Sequence, residues 1–315
     1  MIRENNYAEE MKAVVEPTLD AIFSEQWLET ADGKLHVECY LPEKRRHMML
    51  LLHGFTESAE KFREMIYYFT QEGIGVVALD QRGHGKSLRL VEDPSLVHVN
   101  RFHDYVDDAM LVVKQVINPI DPSPCYLYAH SMGGAVGGML AMEMPECFDR
   151  VCLSSPMMAP SSGNTPMWIG QCIADVNGLI GRGSCMAFIG SAYDAEKDTF
   201  ENGCDTSQAR FEYYKRKRAA RTELQTCSPS YRWVAEACRV KKVLLNPDMA
   251  SRITAKLLLC QTGKDTVVLL PEQNAFVSHL RDGSLATFPE AKHEIYFSED
   301  QTMEKYLETV LNFFE

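Results

Sequence analysis

Tyr126-Leu127-Tyr128-Ala129-His130-Ser131-Met132-Gly133-Gly134 is the stretch on which the fold turns. Its first half is apolar and aromatic, as suits a buried strand. At Ser131 the run stops, and a small-residue stretch able to open a helix begins at once. The G-x-S-x-G pattern marks serines lifted clear of a sheet at such a strand–turn–helix junction. Gly133 lets the new helix pass close to the strand it has just left. Ala129 stands where the pattern has glycine, and one methyl group is the smallest departure a side chain can make.

The rhythm on either side supports a sheet around this strand. Met48-Met49-Leu50-Leu51-Leu52 is a short continuous apolar run, expected of a parallel strand buried on both faces. It ends in His53-Gly54-Phe55. A helix with Phe62, Met65, Ile66 and Phe69 on one face follows, then a strand over 75–79 that opens into residues 80–87. Residues 101–117 read as an amphipathic helix closed by Pro119 and Pro122, and 150–154 as another strand. Upstream, residues 24–41 alternate around Asp32-Gly33, a tight-hairpin dipeptide. Residues 1–20 carry an acidic helical pattern broken at Pro17, which reads as a surface arm. From 156 to about 248 the strand rhythm is lost, and helical patterns are separated by Gly/Ser-rich turns at 161–165 and 181–184. Strands return at 253–260 and 284–288, and a helix over 303–314 follows. The expected fold class is α/β, a mostly parallel central sheet with helices on both faces. Residues 1–155 and 249–315 would form its core, with 156–248 a helical cap inserted after the strand ending near residue 154.

Composition narrows the function classes. The 315 residues suffice for one large α/β domain with a sizeable insertion. Acidic residues outnumber basic ones 44 to 32, for a formal charge of −12, which opposes nucleic-acid binding. No apolar stretch approaches the length of a membrane span, and residues 1–7 lack the apolar core of a signal peptide, so a cytoplasmic location is expected. The ten cysteines form no Cys-x-x-Cys pair and no zinc-spaced Cys/His cluster, so reduced thiols and no metal are expected. Nothing here sets an oligomeric state.

A serine hydroxyl becomes a useful nucleophile when a base takes its proton and a third group orients that base. Behind a serine of this kind the partners follow in the order Asp/Glu, then His. After residue 250 the histidines are His279 and His293. His279 lies in a stretch, 271–280, that reads as a sheet-packing helix. His293 follows a strand end in the short loop 289–294, and strand ends on that side are where open α/β sheets place ligands. Asp265 likewise follows a strand, whereas Asp248 precedes its strand and Asp282 sits in a turn before the last one. The candidates are therefore Ser131, Asp265 and His293. Acyl transfer also needs donors aimed at the developing oxyanion. The N–H of Met132, next to the serine, and of Phe55, in the loop after the first central strand, are the candidates.

Taken in order, His53-Gly54-Phe55, residues 80–87, 129–134, 263–268 and 291–294 resemble a serine α/β-hydrolase of the monoglyceride lipase and bacterial lysophospholipase family. The likeness runs from about residue 45 to 298. It implies that Ser131, Asp265 and His293 form a catalytic triad, and that residues 80–87 are mainly structural, with Arg82 fixing loops. The Ala-His-Ser variant and the stretch Ser228–Val234 resemble the lysophospholipase branch. The implied activity is cofactor-independent hydrolysis of single-chain lipid esters through an acyl-Ser131 intermediate. Acyl transfer, thioester or other short-acyl cleavage by the same triad, and a silent lipid-sensing homologue, are the alternatives. The partner would be a small lipid ester, with transient contact at a membrane surface.

Within residues 156–248, Met157, Met158, Met167, Trp168, Ile169, Met186, Phe188, Ile189 and Trp233 are candidates to line an acyl channel; packing among themselves is the competing reading. Lys215-Arg216-Lys217-Arg218 with Arg221 is a dense basic run in an acidic chain. It suits a phosphate headgroup or an anionic surface, or simply a solvated helix face.

Overall fold

The computed structural model describes residues 1–161, 163 and 166–315, so part of the turn expected at 161–165 lies outside the described residues. Its ten strands are β1 (Phe23–Thr30), β2 (Gly33–Tyr40), β3 (His47–Leu52), β4 (Ile74–Leu79), β5 (Leu96–Val97), β6 (Cys125–His130), β7 (Phe148–Ser154), β8 (Ser228–Pro229), β9 (Lys256–Thr262) and β10 (Gly283–Phe288). Eight of them make one sheet in the order β1-β2-β4-β3-β6-β7-β9-β10. β1 and β2 form the hairpin expected around Asp32-Gly33, antiparallel to each other and to β4; from β4 to β10 every pairing is parallel.

Strand alternation divides the core between the two faces. Met48, Leu50 and Leu52 of β3, with Leu127 and Ala129 of β6, face the helices His103–Val112 and Met132–Glu143. Met49, Leu51, Tyr126 and Tyr128 face the opposite layer, which holds the helices Arg63–Gln71 and Asp300–Phe314. Burying an aliphatic side chain of this size stabilises the fold by roughly 1.5–3 kcal/mol. A strand covered on both faces is therefore one of the most strongly anchored parts of the molecule.

Two expectations are corrected. Residues 4–20 are no free arm but a nearly continuous helical segment packed on the core. Tyr7, Met11, Val15 and Leu19 recur every fourth residue and are all buried, while Pro17 directly follows a π-helical turn, Met11–Val15, where the regular backbone ladder is already offset. The helix at 103 passes through a π-helical turn, Val113–Ile117, and continues to Ile120, so Pro119 again directly follows an offset in the backbone ladder.

Between β7 and β9 the helices Met167–Leu179, Gln208–Ala220 and Tyr231–Leu244 dominate. Each of two contacts ties this segment down. β8 pairs in parallel with β5. The fully buried Arg210 donates to Glu64 (2.9 and 3.0 Å), Ile2 O (2.9 Å) and Ser298 O (3.1 Å), with its cation over the Tyr7 ring. Tyr231–Leu244 packs on the sheet layer through Trp233, Ala237, Val240 and Leu244. Met167–Leu179 lies on top of it, burying Ala174 against Tyr231 and Ala235. Its outer side leaves Trp168, Val176 and Leu179 exposed, together with Ile180, Phe188 and Ile189 beyond it.

Candidate active site

Ser131 sits between β6 and Met132–Glu143 with φ 52° and ψ −117°, backbone angles that side chains rarely adopt. The turn is held from several sides. Ser131 N–H donates to Ser154 O at 3.0 Å, and its own carbonyl accepts from Met157 N–H at 2.8 Å. A Cβ on Gly133 would stand 2.4 Å from His53 O and 2.5 Å from Leu52 O. Only glycine lets the helix start this close to the end of β3. Strain held by its surroundings in this way is typical of functional positions.

Ser131, His293 and Asp265 come together as one hydrogen-bonded chain. His293 Nε2 lies 2.7 Å from Ser131 Oγ, and His293 Nδ1 lies 2.8 Å from Asp265 Oδ2. Asp265 also accepts from Thr262 Oγ1 (2.8 Å), Val267 N–H (2.8 Å) and Val268 N–H (3.1 Å). Burial pushes the Asp265 carboxyl up, but the bonds from His293, Val267 and Thr262 outweigh it and hold the group at about 2. It is thus an anion near neutral pH, able to fix His293 with Nδ1 as donor and Nε2 free to accept from Ser131. His279 caps the helix Leu270–Ser278, Asp248 lies in the helical turn Pro247–Ala250, and Asp282 precedes β10. Among the described residues none of the three bonds to this chain.

Met132 is the first residue of its helix, so its N–H has no intrahelical acceptor. Phe55 lies in the loop after β3, which approaches the serine so closely that a Cβ on Gly54 would be 3.0 Å from Ser131 Cβ. That loop is fixed by a group the sequence reading did not single out. Glu57 accepts from Gly54 N–H at 2.6 Å and from the Tyr296 hydroxyl, and Lys61 Nζ lies 3.1 Å away. Lys61 reaches on to Glu294 at 2.6 Å, beside His293. Burial raises the Glu57 carboxyl, and Lys61 and His130 overcome this to hold it at about 2. The loop carrying Phe55 and the loop carrying His293 are therefore clamped to each other through buried charge. The i,i+4 spacing of Glu57 and Lys61 was the available signal.

Residues 80–87 serve the scaffold. Asp80 accepts from Ala59 N–H and Lys86 N–H and pairs with His36, while Arg82 is bidentate to Asp108 and reaches Asp32.

An apolar cavity of about 300 Å³ lies within the segment between β7 and β9, bounded by Met167, Phe188, Ile189, Tyr231, Trp233 and Val234. Trp233 packs on Phe55 with ring centroids 4.1 Å apart and the planes tilted by 37°, so the cavity wall touches the loop beside the serine. Met157 and Met158 are buried in the sheet-side core and do not border it. The Met157 N–H bond to Ser131 O draws that segment inward. Trp168 points outward, 65% exposed. The basic run is divided: Lys217 and Arg221 pair with Glu60, Arg216 is exposed, and Arg218 pairs with Asp198.

Residues 43–301 match the family model described as serine aminopeptidase, S33. Lysophospholipase L2 of Escherichia coli is 28% identical over 274 residues, covering 85% of this chain and 80% of that protein. The monoacylglycerol lipase of Mycolicibacterium smegmatis is 28% identical over 138 residues, 44% of this chain and 47% of that one. Among solved structures, a soluble variant of monoglyceride lipase from Saccharomyces cerevisiae, in complex with a substrate analog, superposes with a TM-score of 0.75 over 93% of this chain and 95% of that one, at 16% identity. That likeness shows the fold, an α/β-hydrolase.

Proposed function

Because the chain belongs to the serine aminopeptidase, S33 family, we propose that it is a serine ester hydrolase of single-chain lipid esters, of the lysophospholipase or monoacylglycerol lipase type. The observation that carries this reading is the Ser131–His293–Asp265 chain, with spacings of 2.7 and 2.8 Å; an apolar cavity in the inserted segment meets its loop through Trp233 against Phe55. Ser131 Oγ attacks the ester carbonyl while His293 Nε2 takes its proton. Asp265 stabilises the imidazolium so formed. The N–H groups of Met132 and Phe55 receive the oxyanion. His293 hands the proton to the leaving alcohol, then activates a water that releases the acyl group from Ser131. The family description speaks of peptides, but the cavity is apolar, and the relatives named above are lipases and a lysophospholipase.

In this reading residues 156–248 act as a cap whose lower helix, Tyr231–Leu244, walls the acyl cavity. Phe188 and Ile189 are both exposed and part of the cavity lining, and with the exposed Trp168, Val176, Leu179 and Ile180 they would be the side chains that rest on lipid. Ser131→Ala tests the chemistry. The variant should fold normally and lose hydrolysis of both short and long-chain esters by several orders of magnitude. Retained turnover would refute the assignment.

A further inference from the structure

Two cavities of opposite character flank the loop that carries Phe55 and Thr56. Trp233, packed against Phe55, belongs to the apolar one. Thr56 borders the second, a cavity of about 380 Å³ whose other walls include Tyr193, Asp194, Asp198, Gly203 and Arg218. Thr56 has φ 63°, a left-handed geometry that β-branched residues rarely hold. The floor of this cavity is stitched to the loop of His293. Lys292 Nζ donates to Gly203 O at 3.1 Å, and Glu294 N–H donates to Cys204 O at 2.9 Å.

That position determines which half of an ester it can receive. The imidazole that accepts the Ser131 proton must deliver it to the departing alkoxide oxygen. The alcohol therefore leaves on the His293 side of the carbonyl, where this second cavity lies, and the acyl chain takes the apolar side.

The lining carries both signs of charge. Lys197 pairs with Asp194 at 3.3 Å, and Arg218 pairs with Asp198 at 3.4 Å. Arg218 is largely buried and lies 4.8 Å over the Tyr193 ring. It donates to Asp198, Leu224 O and Thr226 O, which among the described residues leaves two of its five N–H donors. A neutral polyol would leave the largely covered Arg218 and Asp198 unused, and a bare phosphate would face the carboxylates of Asp194 and Asp198. A headgroup with one phosphate and one ammonium finds a partner for each.

We propose that this cavity binds the zwitterionic phosphoester headgroup of a lysophospholipid, with the phosphate on Arg218 and the ammonium on Asp194 and Asp198. The proposal rests on the ester-hydrolase reading above.

Three substrates with one acyl chain, presented in the same neutral micelles, test it: lysophosphatidylethanolamine, lysophosphatidic acid and monoacylglycerol. The wild type should give its highest kcat/KM on the zwitterionic lipid. Arg218→Gln should lower the ratio of that value to the monoacylglycerol value at least about tenfold, mostly through KM, as loss of a charge-assisted bond predicts. Arg216→Gln, on the exposed side of the same helix, should leave the ratio within about twofold. Asp194→Asn with Asp198→Asn should move preference from the zwitterionic lipid towards lysophosphatidic acid. A wild type that favours either of the other lipids, or an Arg218→Gln loss equal on all three, overturns the proposal. A short nitrophenyl ester assayed in parallel separates the two readings. Cleavage that depends on Ser131 without any headgroup effect removes only the pocket assignment, whereas failure to cleave the short ester removes the underlying activity.

Discussion

Replacing Gly133 by alanine places one methyl group at the tightest point of the site. Its Cβ would stand 2.4 Å from His53 O and 2.5 Å from Leu52 O, where ordinary contact begins at 3.4 Å. Both neighbours are backbone at the end of β3, a strand buried on both faces, so they do not yield as a side chain would. The start of Met132–Glu143 must therefore retreat by about 1 Å, and Ser131 Oγ and the Met132 N–H retreat with it. Overpacking of this kind costs about 1–3 kcal/mol of stability. A displacement of about 1 Å in a reacting group costs on the order of a hundredfold in rate. Gly138, on the same helix, is the internal control. A Cβ there meets Leu244 Cδ2 at 3.1 Å and Phe276 Cζ at 3.7 Å, both the ends of side chains rather than backbone. Alanine should be tolerated at 138, where better helix propensity offsets the small repacking. The assay is kcat/KM on a short soluble ester together with urea unfolding of both variants. Wild-type activity and stability in Gly133→Ala would refute the reasoning, as would equal damage from the two substitutions.

Other expectations follow from buried charge and exposed apolar surface. Burial, aided by Glu294 and opposed by Lys61 and Lys292, pushes the Asp205 carboxyl up to about 8. Between about pH 4 and pH 8 the folded chain then holds a proton that the unfolded chain releases, so this group's contribution to stability falls as pH rises. Thermal melting at about pH 5 and about pH 8.5 should show a smaller loss for Asp205→Asn than for wild type; parallel curves would contradict it. Leu179→Ser with Ile180→Ser removes two exposed apolar side chains, each worth about 1.5 kcal/mol if buried in lipid. Cosedimentation with phosphatidylcholine vesicles should weaken by roughly a hundredfold, and unchanged partitioning would exclude this face as the lipid contact.

What was legible in the sequence is what depends on local pattern. The runs 48–52 and 126–130 announce strands covered on both faces, and chain order singled out Asp265 and His293 as the pair that the structure brings to Ser131. Glu57 escaped because its meaning is tertiary: Tyr296 and Glu294, which complete its network, come more than two hundred residues later. The N-terminal segment escaped for a related reason. A proline suggested an ending, while the four-residue spacing of Tyr7, Met11, Val15 and Leu19 only gains force against packing partners, here Arg210 over Tyr7 and the helix Arg63–Gln71 beside residues 11–20. Methionines near the site were hardest to sort. Composition alone does not separate Met167, which borders the apolar cavity, from Met157, which a single backbone bond draws into the core.

The separation of Ser131 from His293, 162 residues along the chain, bears on how the protein is made. At about 5–20 residues per second a ribosome delivers the second of these about 8–30 s after the first. β6, β3 and β4 are neighbours in the sheet and are all synthesised early, so the strained turn at Ser131 can be assembled while β9 and β10 are still untranslated. During that interval the serine is emplaced without its imidazole. On the proposed mechanism, a nascent chain is chemically quiet towards nearby esters until the loop after its last strand has emerged, and reactivity arrives once the sheet is complete.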